Sequence, residues 1–439
     1  MLSQDRQVSN QVSDVSADAK TSSDLLVNNL VYQQPSALSL ATARAYTRHY
    51  PQVQTYSSGQ TVVLDLTSGA SFVDPETSYL TFEVQLKTSG AAITANFGSG
   101  SAMNLIRQTT IRSRSGTELS RTELCNHWSR FNSLNQYDDQ YLSKQGLMEG
   151  WGAIRSSGAD AAILSSATPK RFCIPLPRLD PFFSPMAKGQ KIPPQLMSGL
   201  HVEIILEDVR TAVCRKTGLA ADFSGYEISN IAFVTDSITM TDDVQRVINE
   251  ESAMSGLEVG YDRIFTAQTS LALGSTSANI QIRKAVSQCK YAYTICLNKA
   301  SLLDVSLDSF QSVVFDATNW QYRLGSLYFP KQAIQTRGLN DPTESFLQQI
   351  AMFDKLRSEK TTAVSMFRFD TGGEGALCAS FERDQALQLS ALPCNNSRVA
   401  ELDVEFDATA SVGLTRQLIS FLVYSSISRS FIENTSSSI

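Results

Sequence analysis

The chain has 439 residues, of which 42% are hydrophobic and 18% are charged, and its formal net charge is -6. This length accommodates two β-domains of roughly 200 residues each. An acidic total does not favour non-specific attraction to nucleic acid phosphates, and the composition away from the termini is not that of a disordered or collagen-like chain.

Membrane and export signals are not recognised in the sequence. The opening MLSQDRQVSN lacks an apolar core, and the late apolar run at 418–427 is shorter than the ~20 residues that span a bilayer. No C-x-x-C pair occurs among the seven cysteines, so we expect reduced thiols buried in β-sheet cores. We therefore expect a soluble protein made inside a cell, without a transmembrane segment. The cysteines are Cys125, Cys173, Cys214, Cys289, Cys296, Cys378 and Cys394.

The N-terminal segment 1–24 is rich in Ser, Asp and Gln and has no aromatic residue. Such a segment buries too little apolar surface to stay folded alone, which predicts a mobile arm. The arm has no basic block, so it is not expected to bind nucleic acid. Residues 36–46 (SALSLATARAY) are predicted to form a short helix before the first domain.

The first half of the chain alternates short strand patterns with turns. A helix with an aromatic stripe is predicted at 121–141, where it is expected to cover a sheet. The Pro-rich segment 175–194 cannot be a central strand, because proline lacks the donor for the ladder. The predicted strands are 61–66 (TVVLDL), 79–87 (YLTFEVQLK), 103–114, 117–119, 171–176 (RFCIPL), 200–207 (LHVEIILE) and 228–240.

A polar, acidic stretch at 241–256 (TDDVQRVINEESAMSG) separates a closing strand pattern from a new opening strand at 257–265. After it, four segments repeat the earlier ones in order, with offsets of about 190 to 210 residues, which indicates duplication of one fold. The pairs are 79–86 with 291–297, 171–176 with 365–370, 200–207 with 401–407, and 230–238 with 418–426. A further helix is predicted after Asp341 as cap and Pro342 in its first turn, with Phe346, Ile350 and Phe353 buried.

About sixteen short strands with few helices indicate an all-β fold, and long excursions between antiparallel strands favour jelly rolls over meander barrels. We predict two tandem eight-stranded jelly rolls with a few short helices in inter-strand loops. The expected parts are an N-terminal arm (1–49, partly mobile), a first jelly roll (50–243), a linker (244–256), a second jelly roll (257–430) and a C-terminal tail (431–439).

Residues with the usual chemistry of catalysis are sparse. The three histidines, His49, His127 and His201, lie in unrelated segments, and His127 is two residues after Cys125, which on a helix directs the two side chains apart. The Gly-rich pieces at 98–100 and 372–375 are not followed by the Lys-Ser/Thr step of a phosphate loop, so both are expected to be loop tips. We predict no catalytic, cofactor-binding or metal-binding residue, no cofactor, and no enzyme activity.

Four arginines, Arg107, Arg112, Arg114 and Arg121, cluster in and just beyond 103–119. On a strand, Arg112 and Arg114 share one face. That face could meet phosphate, a neighbouring subunit or solvent, and the sequence leaves all three open.

The order of segments, together with 320–334 (WQYRLGSLYFPKQAI), 100–119 (GSAMNLIRQTTIRSRSGTEL) and 191–208 (KIPPQLMSGLHVEIILED), resembles double jelly-roll major capsid proteins. The resemblance covers about residues 50–430 and is greatest to those of polinton-like viruses, virophages and adintovirus-type eukaryotic double-stranded DNA viruses.

This resemblance implies a homotrimer whose six jelly rolls form a pseudo-hexameric capsomer. Such capsomers tile an icosahedral shell around a double-stranded DNA genome, next to single jelly-roll pentons and minor capsid proteins. The implied location is the virion, after synthesis and assembly inside the host cell, with no specific recognition of nucleic acid. The alternative hypothesis is a tandem jelly-roll glycan-binding or attachment protein.

Overall fold

The computed structural model describes residues 41–67, 69, 71–151, 164–187, 189–254, 256–312, 317–335, 342–356, 361–370, 373–382, 391–394, 399–408 and 414–430. Residues Ala43–Ile439 form one compact unit, and the other unit is Met1–Thr42. The expected arm at 1–24 and tail at 431–439 lie outside the described residues.

Strands of the first half build two packed sheets and a small third one. The strands are β1 (Ala41–His49), β2 (Thr55–Ser57), β3 (Thr61–Leu66), β4 (Phe72–Thr88), β5 (Thr94–Asn96), β6 (Ile106–Arg112), β7 (Glu118–Glu123), β8 (Leu164–Ser165), β9 (Lys170–Pro175), β10 (Leu200–Leu206), β11 (Cys214–Thr217) and β12 (Phe223–Met240). Sheet A has the order β1-β12-β4-β9 with β2 also on β12, sheet B the order β3-β10-β6-β7, and sheet C the order β11-β5-β8.

Strands of the second half build two more sheets. The strands are β13 (Leu257–Ser270), β14 (Ser277–Ile282), β15 (Val286–Asn298), β16 (Ala317–Leu324), β17 (Leu327–Gln335), β18 (Leu377–Ser380), β19 (Leu392–Cys394), β20 (Ala400–Phe406) and β21 (Arg416–Ser430). Sheet D has the order β13-β21-β15-β18 with β19 on β15, and sheet E the order β14-β20-β16-β17. Sheets A and B are called the first sandwich below, and sheets D and E the second.

Short helices fill the connections between strands. They are α1 (Cys125–Gln136), α2 (Asp139–Lys144), α3 (Leu176–Leu179), α4 (Pro194–Met197), α5 (Val209–Ala212), α6 (Asp242–Met254), α7 (Thr343–Met352) and α8 (Met366–Asp370). Helix α6, which lies in the polar stretch at 241–256, joins β12 to β13. No helix of the described residues is long and apolar enough to cross a membrane.

The two sandwiches have the same topology. If the eight strands that form each sandwich are counted in chain order, one sheet reads 1-8-3-6 and its partner reads 2-7-4-5, in both halves. In this order every pair of consecutive strands except the fourth and fifth is divided between the two sheets, which is the order of an eight-stranded jelly roll. The predicted all-β fold of two tandem jelly rolls is therefore confirmed.

Three of the four predicted repeats are equivalent strands. The pairs β4 and β15, β10 and β20, and β12 and β21 occupy the same position in their sandwiches. The fourth repeat is wrong, because residues 366–370 form helix α8 and the strand equivalent to β9 is β18.

Two helix predictions also need correction. The helix expected at 36–46 is a strand from Ala41 onward, because β12 offers a free edge on which β1 makes its ladder. The helix expected from Arg121 begins at Cys125, since Glu118–Glu123 pairs with β6 as β7, and it breaks at Tyr137 before α2 begins.

Helix α7 is present, but its most buried side is polar. Ser345 and Gln349 are buried with Met352, whereas the expected Phe346 and Ile350 are only partly buried. The reason is hydrogen bonding, because the Trp320 indole N–H donates to the Ser345 hydroxyl at 2.8 Å and Gln349 has three partners on two other segments. Its expected cap, Asp341, lies outside the described residues.

Sheet D is buried on both faces. Side chains Tyr293, Ile295, Phe421 and Val423 belong to the core that is continuous with the first sandwich. The alternate positions Ala292, Cys296, Leu418 and Leu422 belong to the core shared with sheet E. Because successive residues of a strand point to opposite faces, the runs YAYTICL and LISFLVYSS are mostly apolar and do not alternate with exposed polar residues.

Both faces of β21 are therefore expected to matter for stability. Phe421→Ala on the inter-sandwich face and Leu422→Ala on the inner face should each lower the free energy of unfolding by about 2–5 kcal/mol, because each leaves a cavity. Urea denaturation measures the effect, with the exposed Leu273→Ala as control. A loss confined to Leu422→Ala would contradict the doubly buried sheet.

Candidate functional site

Helix α1 lies between the two sandwiches and is buried on nearly every side, including its polar residues Asn126, Ser129 and Arg130. Leu124 joins β7 to this helix in the left-handed region, with φ 52°. Such a conformation costs about 1–2 kcal/mol in a residue with a Cβ. The packing on both sides of α1 has to offset that cost, so the helix is part of the joint and not a cover on one sheet.

Aromatic rings carry the apolar part of this junction. Phe131 of α1 stacks on Tyr293 of sheet D with ring centroids 4.3 Å apart, and Tyr293 stacks in turn on Phe421 at 4.9 Å. One turn earlier, the His127 ring lies 4.5 Å from the ring of Phe310 in the second sandwich. Ring pairs of this kind contribute about 0.5–1.5 kcal/mol each beyond their burial.

Arg130 connects backbone carbonyls of both sandwiches. Its Nε donates to the Ser99 carbonyl and its Nη2 to the Gly373 carbonyl, both at 3.2 Å. The two Gly-rich pieces expected at loop tips are therefore at the buried junction, in their described residues, and that expectation is wrong. Their glycines permit the close approach: a Cβ on Gly373 would lie 2.8 Å from the Gln311 Cβ.

Asp308 joins the Ser99 segment to a second loop of the other half of the chain. Its carboxylate accepts from the backbone N–H of Ser99 in the first sandwich at 2.7 Å and from the N–H of Phe310 in its own loop at 3.0 Å. Gly98 lies directly against it with φ +55°, and a Cβ there would be 2.6 Å from the carboxyl carbon. The sequence shows Gly98-Ser99-Gly100 as a turn, but it contains no signal that the partner is 209 residues away.

Polar contacts continue along the C-terminal half of α1. The Gln349 amide donates to the Asn135 side-chain oxygen at 2.9 Å and accepts from the Ala376 N–H at 2.9 Å. Past the end of α7, Lys355 donates to the Gln136 carbonyl at 3.0 Å, and the Ala363 N–H donates to the Leu134 carbonyl. Every polar group cited here has a partner across the junction, which fixes one relative orientation of the sandwiches.

A second contact runs along the edges of β7 and β13. The Tyr261 hydroxyl donates to the Leu119 carbonyl at 2.8 Å, and the Thr266 hydroxyl to the Glu123 carbonyl at 3.0 Å. Arg263 forms an ion pair with Glu118 at 3.2 Å. Side chains of β13 thus satisfy the open backbone edge of β7, which would otherwise be a template for non-native pairing.

The histidines are far from forming a common site. His49 contacts the Thr235 hydroxyl at 3.1 Å, and His201 lies beside Asp65 at 2.6 Å on the outer face of sheet B. Burial, together with the charge of Arg130, lowers the pKa of His127 to about 3, so this ring is neutral. The Cys125 thiol donates to the Leu179 carbonyl at 3.0 Å, and burial raises its pKa.

The structure describes seven free cysteines, five of them buried. Among the described residues, no group of three or more His, Cys, Asp or Glu side chains is arranged to hold a metal ion. Burial raises the pKa of Asp180, which accepts from the Thr109 hydroxyl at 2.7 Å and the Thr122 hydroxyl at 3.0 Å. These contacts anchor the Pro-rich segment to sheet B and α1, a structural role.

Of the four clustered arginines, two have intramolecular partners within sheet B. Arg112 pairs with Glu203 and Arg121 with Glu123 at 2.6 Å. Arg114 packs its aliphatic chain against Gly199. This arrangement agrees with the solvent hypothesis better than with a phosphate site, because the paired guanidinium groups are already neutralised.

Asp308→Asn should destabilise the protein by about 1–3 kcal/mol, because one amide oxygen cannot accept from both N–H groups and one buried donor is left unpaired. Asp304→Asn is the matched control. Asp304 accepts from Ser306, within its own loop, so little change is expected. Thermal unfolding measures both; equal effects would show that the contact with Ser99 contributes nothing.

His127 should make stability depend on pH. Its folded pKa of about 3 lies below the ordinary 6.5, so the unfolded chain binds a proton first and stability is lost as pH falls from 6.5 towards 3. Between pH 7 and 5 this amounts to about 2 kcal/mol. Glutamine does not titrate, so His127→Gln lacks this pH-dependent part of the free energy of unfolding. The difference in free energy of unfolding between wild type and variant should therefore be smaller at pH 5 than at pH 7 by this amount. Urea denaturation at both pH values tests it; a constant gap would contradict it.

No protein-family model and no curated protein sequence matches the chain. Several solved structures do match the fold. The structure is similar to the PBCV-1 virus capsid, with a TM-score of 0.60 and 13% sequence identity over 91% of this chain and 97% of that one. It is also similar to the Faustovirus major capsid protein (TM-score 0.55, 10% identity, 98% of each chain) and to the mavirus major capsid protein (TM-score 0.52, 9% identity, 93% of each chain). At this identity the likeness establishes the fold, which is a double jelly roll over nearly the whole length of each chain.

Proposed function

We propose that the chain is the major capsid protein of a double-stranded DNA virus and forms homotrimeric, pseudo-hexameric capsomers that tile an icosahedral shell. The observation that carries this is the end-to-end match of two like-ordered jelly rolls to solved capsid proteins, with 90% or more of each chain covered. A fold shared by unrelated activities would be weak evidence by itself. Here the match includes both sandwiches and their joint.

The junction supplies the physical mechanism. Two sandwiches of the same topology, held in one orientation by α1, Arg130 and Asp308, present two similar walls to their surroundings. A closed ring of three chains then contains six similar bodies, which fit a six-coordinated position of a shell. Assembly proceeds by repeated burial of interfaces between copies and needs no reacting group.

The remaining parts follow from the same proposal. The first jelly roll is assigned to 41–243, nine residues earlier than the expected start at 50, because β1 is the first of its eight strands. The linker is assigned to 244–256 and the second jelly roll to 257–430. The arm, shortened from 1–49 to 1–40, and the tail at 431–439 flank them. Partners are neighbouring capsomers, single jelly-roll pentons and minor capsid proteins, and the location is the virion, after synthesis in the host cell.

In this proposal the protein is not an enzyme, has no cofactor and does not recognise specific nucleic acid. The separate environments of His49, His127 and His201 support it. Nothing in the described residues favours the alternative of a glycan-binding attachment protein.

Purified protein should be a trimer, with three times the 48.1 kDa chain mass, by size-exclusion chromatography with light scattering. Electron microscopy of concentrated samples should show shells or capsomer arrays. A stable monomer at micromolar concentration would overturn the proposal. Thermal stabilisation by added sugars, with no trimer, would favour the attachment protein instead.

A further inference from the structure

The contact between β7 and β13 is a contact between particular strand positions. Counting the eight strands of each sandwich, β7 is the fifth strand of the first sandwich and β13 is the first strand of the second. Their contact is made by Tyr261, Arg263 and Thr266 of β13, which reach Leu119, Glu118 and Glu123 of β7. Inside one chain, a fifth strand therefore meets a first strand.

Among the described residues, the equivalent two strands have no such neighbour. The first strand of the first sandwich is β1, which within the described residues pairs only with β12 and is exposed at every position up to Arg48. The fifth strand of the second sandwich is β17, an edge of sheet E where Leu327 and Tyr328 are 43% and 47% exposed. An edge strand such as β1, which has nine residues and is exposed on both faces, tends to pair with other chains unless it is covered.

The sequences of the two first strands agree in register. β1 reads Tyr-Thr-Arg-His at 46–49, and β13 reads Tyr-Asp-Arg-Ile at 261–264. The fourth position is buried in both, as His49 and Ile264. Tyr261 is 2% exposed under β7, whereas its equivalent Tyr46 is 58% exposed, beside exposed Tyr50 and Val53.

The fifth strands can be aligned through an arginine that, in each sandwich, lies on the fourth strand and pairs with a glutamate of the seventh. Arg112 pairs with Glu203 in sheet B, and Arg323 pairs with Glu401 in sheet E. Opposite Arg112 on β7 is Glu118, and opposite Arg323 on β17 is Tyr328. Tyr328 therefore occupies the position from which Glu118 binds Arg263.

We propose that β17 of one copy packs on β1 of the next copy and so repeats between chains the β7–β13 contact made within the chain. Tyr46 and Arg48 take the places of Tyr261 and Arg263, and Arg48, which has no ion-pair partner among the described residues, lies over the Tyr328 ring. This contact joins two different surfaces, so it is heterologous and closes into a ring. It rests on the proposed trimer, and it specifies the surface that builds it.

A cation–π pair in place of an ion pair has a measurable consequence. The contact between copies depends on ring burial more than on charge, so the trimer is expected to persist in high salt. Exposed Tyr46, Tyr50, Leu327 and Tyr328 supply the large rings and apolar area that stable interfaces bury.

Cysteine cross-linking distinguishes this contact from others. Tyr46→Cys and Tyr328→Cys are made separately, mixed after dissociation and reassembly, and treated with a short bis-maleimide. The mixture should give covalent dimers, and the double variant Tyr46→Cys/Tyr328→Cys should give dimers and trimers. Tyr46→Cys mixed with Leu219→Cys, an exposed residue away from both strands, should give neither, nor should the wild type, whose described cysteines are buried or half-buried.

Cross-linking of Tyr46→Cys alone would show a contact of like surfaces and overturn the inference. A trimer by light scattering without any 46–328 cross-link would also overturn it, while leaving the proposed function intact. A monomer would overturn both.

Charge substitution gives an independent readout. Tyr46→Asp and Tyr328→Asp should each convert the trimer to monomer with an unchanged circular dichroism spectrum, because both side chains are exposed in the chain itself. Leu219→Asp should remain trimeric. Trimers of both tyrosine variants at micromolar concentration would contradict the proposed contact.

Discussion

The structure depends most on the double burial of sheet D. A sheet with one solvent-exposed face has to bury only its other face, against its partner sheet. In contrast, β15 and β21 carry apolar side chains on both faces. The face with Tyr293 and Phe421 is covered by α1 and the first sandwich. Separation of the two sandwiches would therefore expose a large apolar surface. This constraint turns two similar domains into one body.

Hydrophobic burial does not choose an angle between two flat surfaces, and the polar contacts of the junction do. Arg130 and Asp308 together tie the backbone at Ser99 to segments more than two hundred residues away. Their partners are mostly main-chain groups, which cannot rotate away as side chains can. Two glycines, Gly98 and Gly373, leave the space that these contacts need. The proposed role as a building block of a closed shell requires such a fixed angle, since small errors accumulate around a ring.

Duplication also explains which edges are covered. Within the chain, the fifth strand of one sandwich is satisfied by side chains from the first strand of the other. A chain with two sandwiches makes one such contact and leaves one of each strand exposed, as β1 and β17 are. In the proposed trimer, repetition of this contact between copies would cover both exposed edges at once, so closure of the ring would also solve the edge-strand problem.

Much of the fold is determined by local pattern in the sequence. Alternation in LHVEIILE and ELDVEFD requires half-buried strands, and the ordered repeats identify β4 with β15, β10 with β20 and β12 with β21. The absence of clustered histidines and of a phosphate-loop sequence likewise needs no structure. These features depend on neighbours within a few residues or on a comparison of the chain with itself.

The junction was decided only by tertiary structure, because its contacts are non-local. Residues 121–141 show an amphipathic helix, yet its polar residues Asn126 and Arg130 are buried too. Asn126 donates to Glu207 beside sheet B, and Arg130 donates to the Gly373 carbonyl of the other sandwich. In the sequence, the Gly-rich turns have the pattern of exposed loop tips. In the folded chain, each of them is packed against another loop. Residues 41–46 have helical composition but form a strand, because the open edge of β12 supplies hydrogen bonds that a short helix cannot match. Secondary-structure propensity depends on the residues within a segment. Burial and pairing at a sheet edge depend on which distant segments pack next to it.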